Sequence, residues 1–324
     1  DNLKKAAQIV KDTNKRVAKL IGINPAARTT CVKPSGNASV LLKTASGIHA
    51  EHAPMYFRNV QMNKEQEVAN LIKESNPYMV EESVWSDSRS DYSIAFPVTS
   101  MAGSQYLSEN LGIKQLEKVK LVQEYWVNEG TDIDLCVNKD VRHNVSNTIT
   151  VKHDMWDDVE QYVYDNRKYF AGISFLSSFG DKDFDQAPFT QVLTGEEIIS
   201  TYGTGAMFAS GLIVDGLKVF NNNLWNACST ASGYGEELTG EDQETFYKKD
   251  WIRRFEKFAD NYFAGDKKTA EYCLKDVFLL HKWEKITQNY SEIDWVENLN
   301  EKKFTEIDTM GAAACVGTAE GCVI

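Results

Sequence analysis

Long hydrophobic runs are missing from this 324-residue chain. Its best apolar stretch, Ala206 to Val214, is short and broken by Ser210 and Gly211, so no segment is written to cross a bilayer. An apolar leader is missing too: the chain opens Asp1-Asn2-Leu3-Lys4-Lys5 and its first methionine is Met55, which reads as a stretch from inside a larger protein. Positive charge is in deficit, with 35 Lys and Arg against 47 Asp and Glu and a net charge of −12. A surface this acidic repels nucleic-acid phosphates and anionic lipid headgroups, which argues against direct nucleic-acid binding and against a membrane-surface role. Cysteine is scarce, six residues in all, too few for a disulfide scaffold and in keeping with a reducing, cytoplasmic compartment. Cys31, Cys136, Cys228 and Cys273 stand alone, and only Cys315 and Cys322 form a pair.

What is present is the make-up of an ordinary globular protein, 42% hydrophobic and 25% charged, long enough for one large or two ordinary domains. Residues 3–21 place Leu3, Ala6, Val10, Val17 and Leu20 on one helical face, with Gly22 as the stop. The pattern then alternates. Strands are expected at 28–33, 55–62, 92–96, 145–151 and 173–176, and helices at 38–42, 65–74, 113–127 and 154–166. Such alternation predicts an α/β chain with crossover helices on a mainly parallel sheet or barrel, where ligands collect at the loops after the strands. Beyond Asp181 the regularity weakens into a less regular insertion near 200–245, and helices resume at 251–263 and 269–286. From 307 onward small residues dominate, predicting a flexible tail over 307–324 after a folded body of 1–306.

Two places could carry chemistry. In Lys33-Pro34-Ser35-Gly36-Asn37-Ala38-Ser39, Gly36 lets backbone approach a ligand, the following helix start offers amides, and Ser35, Asn37 and Ser39 add side-chain donors. The same residues also suit a plain strand-to-helix turn in which Ser35 or Asn37 caps the helix. At the other end, Cys315 and Cys322 are separated by six residues rich in Gly and Ala, a spacing that lets two sulfurs meet. A dithiol shuttle and a pair of incidental exposed thiols are both open there; a zinc site is short of ligands. His49 and His52, three apart beside Pro54, read as packing or hydrogen-bonding residues more readily than as metal ligands. Lone Cys273 and Cys31 read as small buried hydrophobes on a helix face and in a strand.

Taken together, Arg28-Thr29-Thr30-Cys31-Val32-Lys33-Pro34-Ser35-Gly36-Asn37-Ala38-Ser39, Gly47-Ile48-His49-Ala50-Glu51-His52-Ala53-Pro54-Met55-Tyr56-Phe57-Arg58, His143-Asn144-Val145-Ser146-Asn147-Thr148-Ile149 and Gln186-Ala187-Pro188-Phe189 resemble, in that order, the C-terminal portion of ribonucleotide reductases. The resemblance is to the adenosylcobalamin-dependent (class II) ribonucleoside-triphosphate reductases, and it covers 26–190 well and 200–245 poorly. It implies the C-terminal part of an α/β barrel in which Pro34, Ser35, Gly36, Asn37, Ala38 and Ser39 bind substrate phosphates. It also implies a redox shuttle at Cys315 and Cys322, regenerated by thioredoxin, and adenosylcobalamin as cofactor. Asn37 stands where Thr is usual and Asn59 where a second Arg is common. The family's radical cysteine sits in a Cys-Gly-Glu loop, and no Cys-Gly-Glu occurs here, so that residue is expected from a missing N-terminal part of the reductase. Two other readings stay open: a fragment of the large subunit of a metal-dependent reductase, and a non-catalytic α/β nucleotide-binding module.

Overall fold

In a computed structural model, residues 2–178, 182, 184–220 and 238–298 are described. They divide between two compact units, one built from residues 2–54 and 99–178, the other from residues 55–98, 182, 184–220 and 238–298.

The first unit opens with α1 (Asn2–Ile21), which buries Ala7 and Ala18. Gly22, at φ 76°, ends it in the left-handed conformation that glycine adopts without a Cβ penalty. After α2 (Asn37–Leu41), the core of the unit forms around α4 (Ile113–Val122), β4 (Thr148–Val151), α5 (Trp156–Asn166) and β5 (Ser174–Ser177). β4 and β5 pair in parallel with α5 as the crossover between them. Leu116, Val119, Val127, Val145, Ile149, Val151 and Val159 fill the interior. The expected strand over 28–33 shrinks to single bridges, Arg28 to Thr131 and Val32 to Val145. Its side chains are spent instead on the end of α4, which continues as a π-helical turn, Gln123–Asn128. There the Trp126 carbonyl accepts from Thr30 Oγ1 at 2.6 Å and from the Gly130 amide at 3.0 Å.

That junction leaves no room at Gly130, where a Cβ would lie 1.9 Å from Thr30 Oγ1 and 2.6 Å from its Cγ2. Gly130→Ala is therefore expected to lower stability by about 1–3 kcal/mol, through overpacking together with loss of the Thr30 bond. Denaturant unfolding of the variant checks this. Adding Thr30→Ala should restore only part of the loss, because Thr30 Cβ itself lies 2.7 Å from the new methyl position.

The second unit contains β1 (Met55–Asn63), α3 (Glu67–Ser75), β2 (Val80–Glu82), β3 (Asp91–Thr99) and β6 (Phe189–Gln191) in a sheet of order β2-β3-β1-β6. β1 pairs antiparallel with β6, and β2 antiparallel with β3. The unit also holds four helices, α6 (Gly195–Tyr202), α7 (Gly205–Val219), α8 (Gln243–Phe263) and α9 (Lys267–Gln288). Sheet residues Phe57, Ile94 and Ala95 pack with Ile72 of α3 and Leu279 and Ile286 of α9. Trp251, Phe255 and Phe258 of α8, Leu274 of α9 and Ile213 of α7 form a helical core. Asp242 caps α8 by accepting from the Thr245 amide, and Asp266 caps α9 by accepting from the amides of Lys268 and Thr269.

The mixed α/β character is as expected, but the mainly parallel sheet and the closed barrel are not seen among the described residues. The chain explains one antiparallel pair: only residues 83–90 join β2 to β3, a link without a crossover helix, and such a link returns the strand antiparallel. Nor is all of the expected insertion irregular. Residues 195–219 form α6 and α7, and Gly205 and Gly216 are points of close approach, since a Cβ would meet Phe263 Cζ at 2.7 Å and Trp251 Nε1 at 2.9 Å. Asn221–Asn223, Cys228 and the tail 307–324 with Cys315 and Cys322 lie outside the described residues. No described helix is long and apolar enough to cross a membrane.

Candidate functional site

Lys33–Ser39 forms a tight loop into α2, with Gly36 at φ 54° and ψ −112° as its N-cap. The backbone turns so that two successive amides converge on one oxygen: Ser46 Oγ accepts from the Ser35 amide at 3.0 Å and from the Gly36 amide at 3.4 Å. Ser39, buried, donates its hydroxyl to the Gly36 carbonyl at 2.7 Å, and the Ala38 amide donates to the Ser35 carbonyl at 3.2 Å. A Cβ at Gly36 would meet nothing within 4 Å, so the space beside the turn is open.

Ser46, which the sequence reading did not single out, belongs to a strap, Ser46–His49, laid on this loop. Gly47, at φ 62°, brings its backbone so close that a Cβ would stand 3.0 Å from the Lys33 carbonyl oxygen and 3.3 Å from Pro34 Cα. Gln115 of α4 donates from Nε2 to the Ile48 carbonyl at 3.0 Å. His49 uses both ring nitrogens, Nδ1 at 2.9 Å from the Ser46 carbonyl and Nε2 at 2.9 Å from the Thr148 amide. A ring so engaged has no lone pair left for a metal, and no cluster of metal-ligating side chains occurs among the described residues.

The motifs quoted from the sequence pair off in space within each unit. In the first, Thr30 and Val32 meet His143–Ser146: His143 Nδ1 lies 3.1 Å from the Thr30 carbonyl, and the Ser146 amide donates to the Val32 carbonyl at 3.0 Å. In the second, Asn59 donates from Nδ2 to the Ala187 carbonyl at 2.6 Å, and Arg58 donates to the Pro188 carbonyl while its guanidinium sits 4.5 Å over the Phe189 ring. Asn59 also donates to Thr190 Oγ1 at 3.2 Å, so its short amide does local work that a long arginine could not repeat in the same place.

The second unit also holds a buried ionic group. Asp276 of α9 is fully buried, and its Oδ2 accepts from Lys182 Nζ at 2.7 Å and from the Tyr202 hydroxyl at 2.6 Å. Glu271 and Lys275 form an ion pair one turn apart at 2.5 Å, both almost wholly buried. Lys275 also donates to the Lys182 carbonyl at 3.1 Å. Burial, and then the Asp276 carboxylate, raise the Tyr202 phenol, keeping it a donor. Burial pushes the Asp185 carboxyl up to about 6 and the Cys273 thiol up to about 12. A thiol held that high is inert, in line with Cys273 as a small buried hydrophobe. Cys136 is likewise buried, but Cys31 is exposed, since the strand expected to bury it is not formed. Sequence spacing carries a signal for only part of this group: Asp276 falls on the apolar helical face of Cys273, Leu280 and Trp283, whereas Glu271 and Lys275 lie on the opposite side of the helix.

Among the described residues, one cleft of about 410 Å³ lies in the first unit beside Gln105, Asn110 and Lys118, and another of about 410 Å³ in the second beside Phe96, Tyr290 and Trp295. No residue of this chain is assigned to adenosylcobalamin.

No protein-family model and no curated protein matches the chain. Among solved structures, a crystal structure of a B12-dependent (class II) ribonucleotide reductase is similar at 20% identity, over 60% of this chain and 26% of that one, with a TM-score of 0.45. The chain thus spans about a quarter of that protein's length.

Proposed function

We propose that this chain is the C-terminal part of a ribonucleotide reductase that converts ribonucleoside triphosphates to 2′-deoxyribonucleoside triphosphates. In this reading Pro34–Ser39 holds the substrate phosphates, and Cys315 and Cys322 form the thioredoxin-reducible pair. Adenosylcobalamin and the radical cysteine belong to residues not assigned in this chain. The observation that carries the proposal is the convergence of the Ser35 and Gly36 amides on a single oxygen at 3.0 and 3.4 Å, a geometry a phosphate oxygen can take over from Ser46. The sequence motifs around the loop supply the choice of a reductase over a plain nucleotide-binding module.

The test is equilibrium binding of a ribonucleoside triphosphate to the full chain and to Gly36→Val. Valine at φ 54° forces a branched residue into left-handed backbone and fills the open space beside the amides, so affinity should fall at least about tenfold. Ser35→Ala, which keeps both amides, should cost much less. Unchanged affinity in a folded Gly36→Val protein would remove the phosphate role.

A further inference from the structure

His49 is committed at both nitrogens to partners of opposite kind. The Ser46 carbonyl only accepts and the Thr148 amide only donates, so Nδ1 carries the proton and Nε2 accepts. Only a neutral imidazole can make both bonds; a second proton on Nε2 would face the Thr148 N–H. Through the first bond the ring holds the residue whose hydroxyl covers the Ser35 and Gly36 amides, and through the second it ties that residue to the first position of β4.

We propose that His49 is a proton-operated pin: the neutral ring fastens the Ser46–His49 strap to β4 and over the Ser35 and Gly36 amides, and protonation releases the strap and uncovers them. The proposal rests on the proposed function only in reading the uncovered amides as phosphate donors. The surroundings leave the ring's charge to solvent protons. The β4 side, Asn147–Val151, carries no titratable group; α4 meets the strap through neutral Gln115; the loop meets it through the backbone of Lys33 and Pro34; on its own segment the nearest titratable residues are Glu51 and His52. Burial lowers the His49 ring below 6.5, and the bond to the Ser46 carbonyl opposes this more weakly. The sign follows. Folded and unfolded chains both hold the ring neutral above about pH 6.5, and as pH falls below that value the unfolded or released form takes up the proton first, so the pin weakens on acidification.

The experiment is residue-resolved hydrogen exchange of the full chain between about pH 7.5 and pH 5, corrected for intrinsic rates. The amides of Thr148, Ser35 and Gly36 should lose protection together, by about tenfold, while Val151 further along β4 keeps its own. His49→Gln offers one donor and one acceptor with no titration, and should make the three amides insensitive to pH. Constant protection of the three in the wild type, or the same loss in His49→Gln, overturns the pin; loss at Thr148 alone overturns its link to the loop. Should the variant fail to fold, the imidazole nitrogen shifts of the wild type decide, because an Nε2–H tautomer at neutral pH contradicts the geometry. A ribonucleoside triphosphate titration separates the two ideas: concerted release without nucleotide binding at either pH leaves the pin standing and removes the proposed function.

Discussion

Asp276→Ala should destabilise the second unit by about 3–5 kcal/mol, the cost typical of removing one partner from a buried ion pair. The carboxylate is fully buried, and deleting it leaves the Lys182 ammonium and the Tyr202 hydroxyl facing a cavity. Lys182 is 20% exposed at its side chain, so it can turn partly toward water, which places the expected loss at the lower end of that range. Among the described residues Asp276 Oδ1 has no hydrogen-bond partner, so the native arrangement already carries a desolvation cost. Replacing Asp276 and its two partners by apolar residues, Asp276→Leu with Lys182→Met and Tyr202→Phe, should therefore recover most of what the single change loses. Chemical denaturation followed by tryptophan fluorescence, to which Trp251 in the same helical core contributes, gives both numbers. A loss under about 1 kcal/mol for Asp276→Ala would mean the group is solvated and not buried, against the geometry.

The elements that could be read from the sequence are those whose signal is local. α1 shows it in its helical spacing and Gly22, although the side it buries is that of Ala7 and Ala18 while Val17 and Leu20 of the expected face are exposed; β1 shows it in the alternation from Met55, and α5 in Trp156, Val159 and Val163. Elements decided by remote partners depart from their local pattern. Thr29, Thr30 and Val32 have the β-branched look of a strand, yet Thr29 and Thr30 donate their hydroxyls to the carbonyls of Gly130 and Trp126, and the ladder is reduced to bridges. Gly205 and Gly216 look like helix breakers until Phe263 and Trp251 are seen against them. The same division holds at the site. Gly36 announces a tight turn by itself, whereas Ser46 is an ordinary serine in sequence and gains a role only because Gly47 brings the strap onto Lys33 and Pro34. His49 reads from its spacing to His52 as a packing or hydrogen-bonding residue, as it is, but its partner, the Thr148 amide, lies 99 residues away and has no signal in the sequence.

On the proposed function, replacing Cys315 and Cys322 together by serine should abolish turnover driven by thioredoxin in the enzyme reconstituted with its N-terminal part, while the first turnover proceeds. The argument concerns reach and electron balance. Reduction of one ribonucleotide oxidises two active-site thiols to a disulfide, and a disulfide enclosed in a substrate pocket cannot be met by a protein as large as thioredoxin. A dithiol on the chain itself can attack it, leave as Cys315–Cys322 disulfide and be reduced in turn by thioredoxin, so two electrons pass inward for each nucleotide. Each single Ser variant should fail in the same way, because one sulfur attacks and the other must resolve the mixed disulfide. Dithiothreitol is small enough to enter the pocket, so the double variant should keep at least part of its dithiothreitol-supported rate. This contrast between reductants separates loss of a shuttle from loss of folding, which would abolish both activities. Full thioredoxin-supported turnover in the double variant would reduce the pair to two exposed thiols, and equal loss with both reductants would assign it a structural role instead.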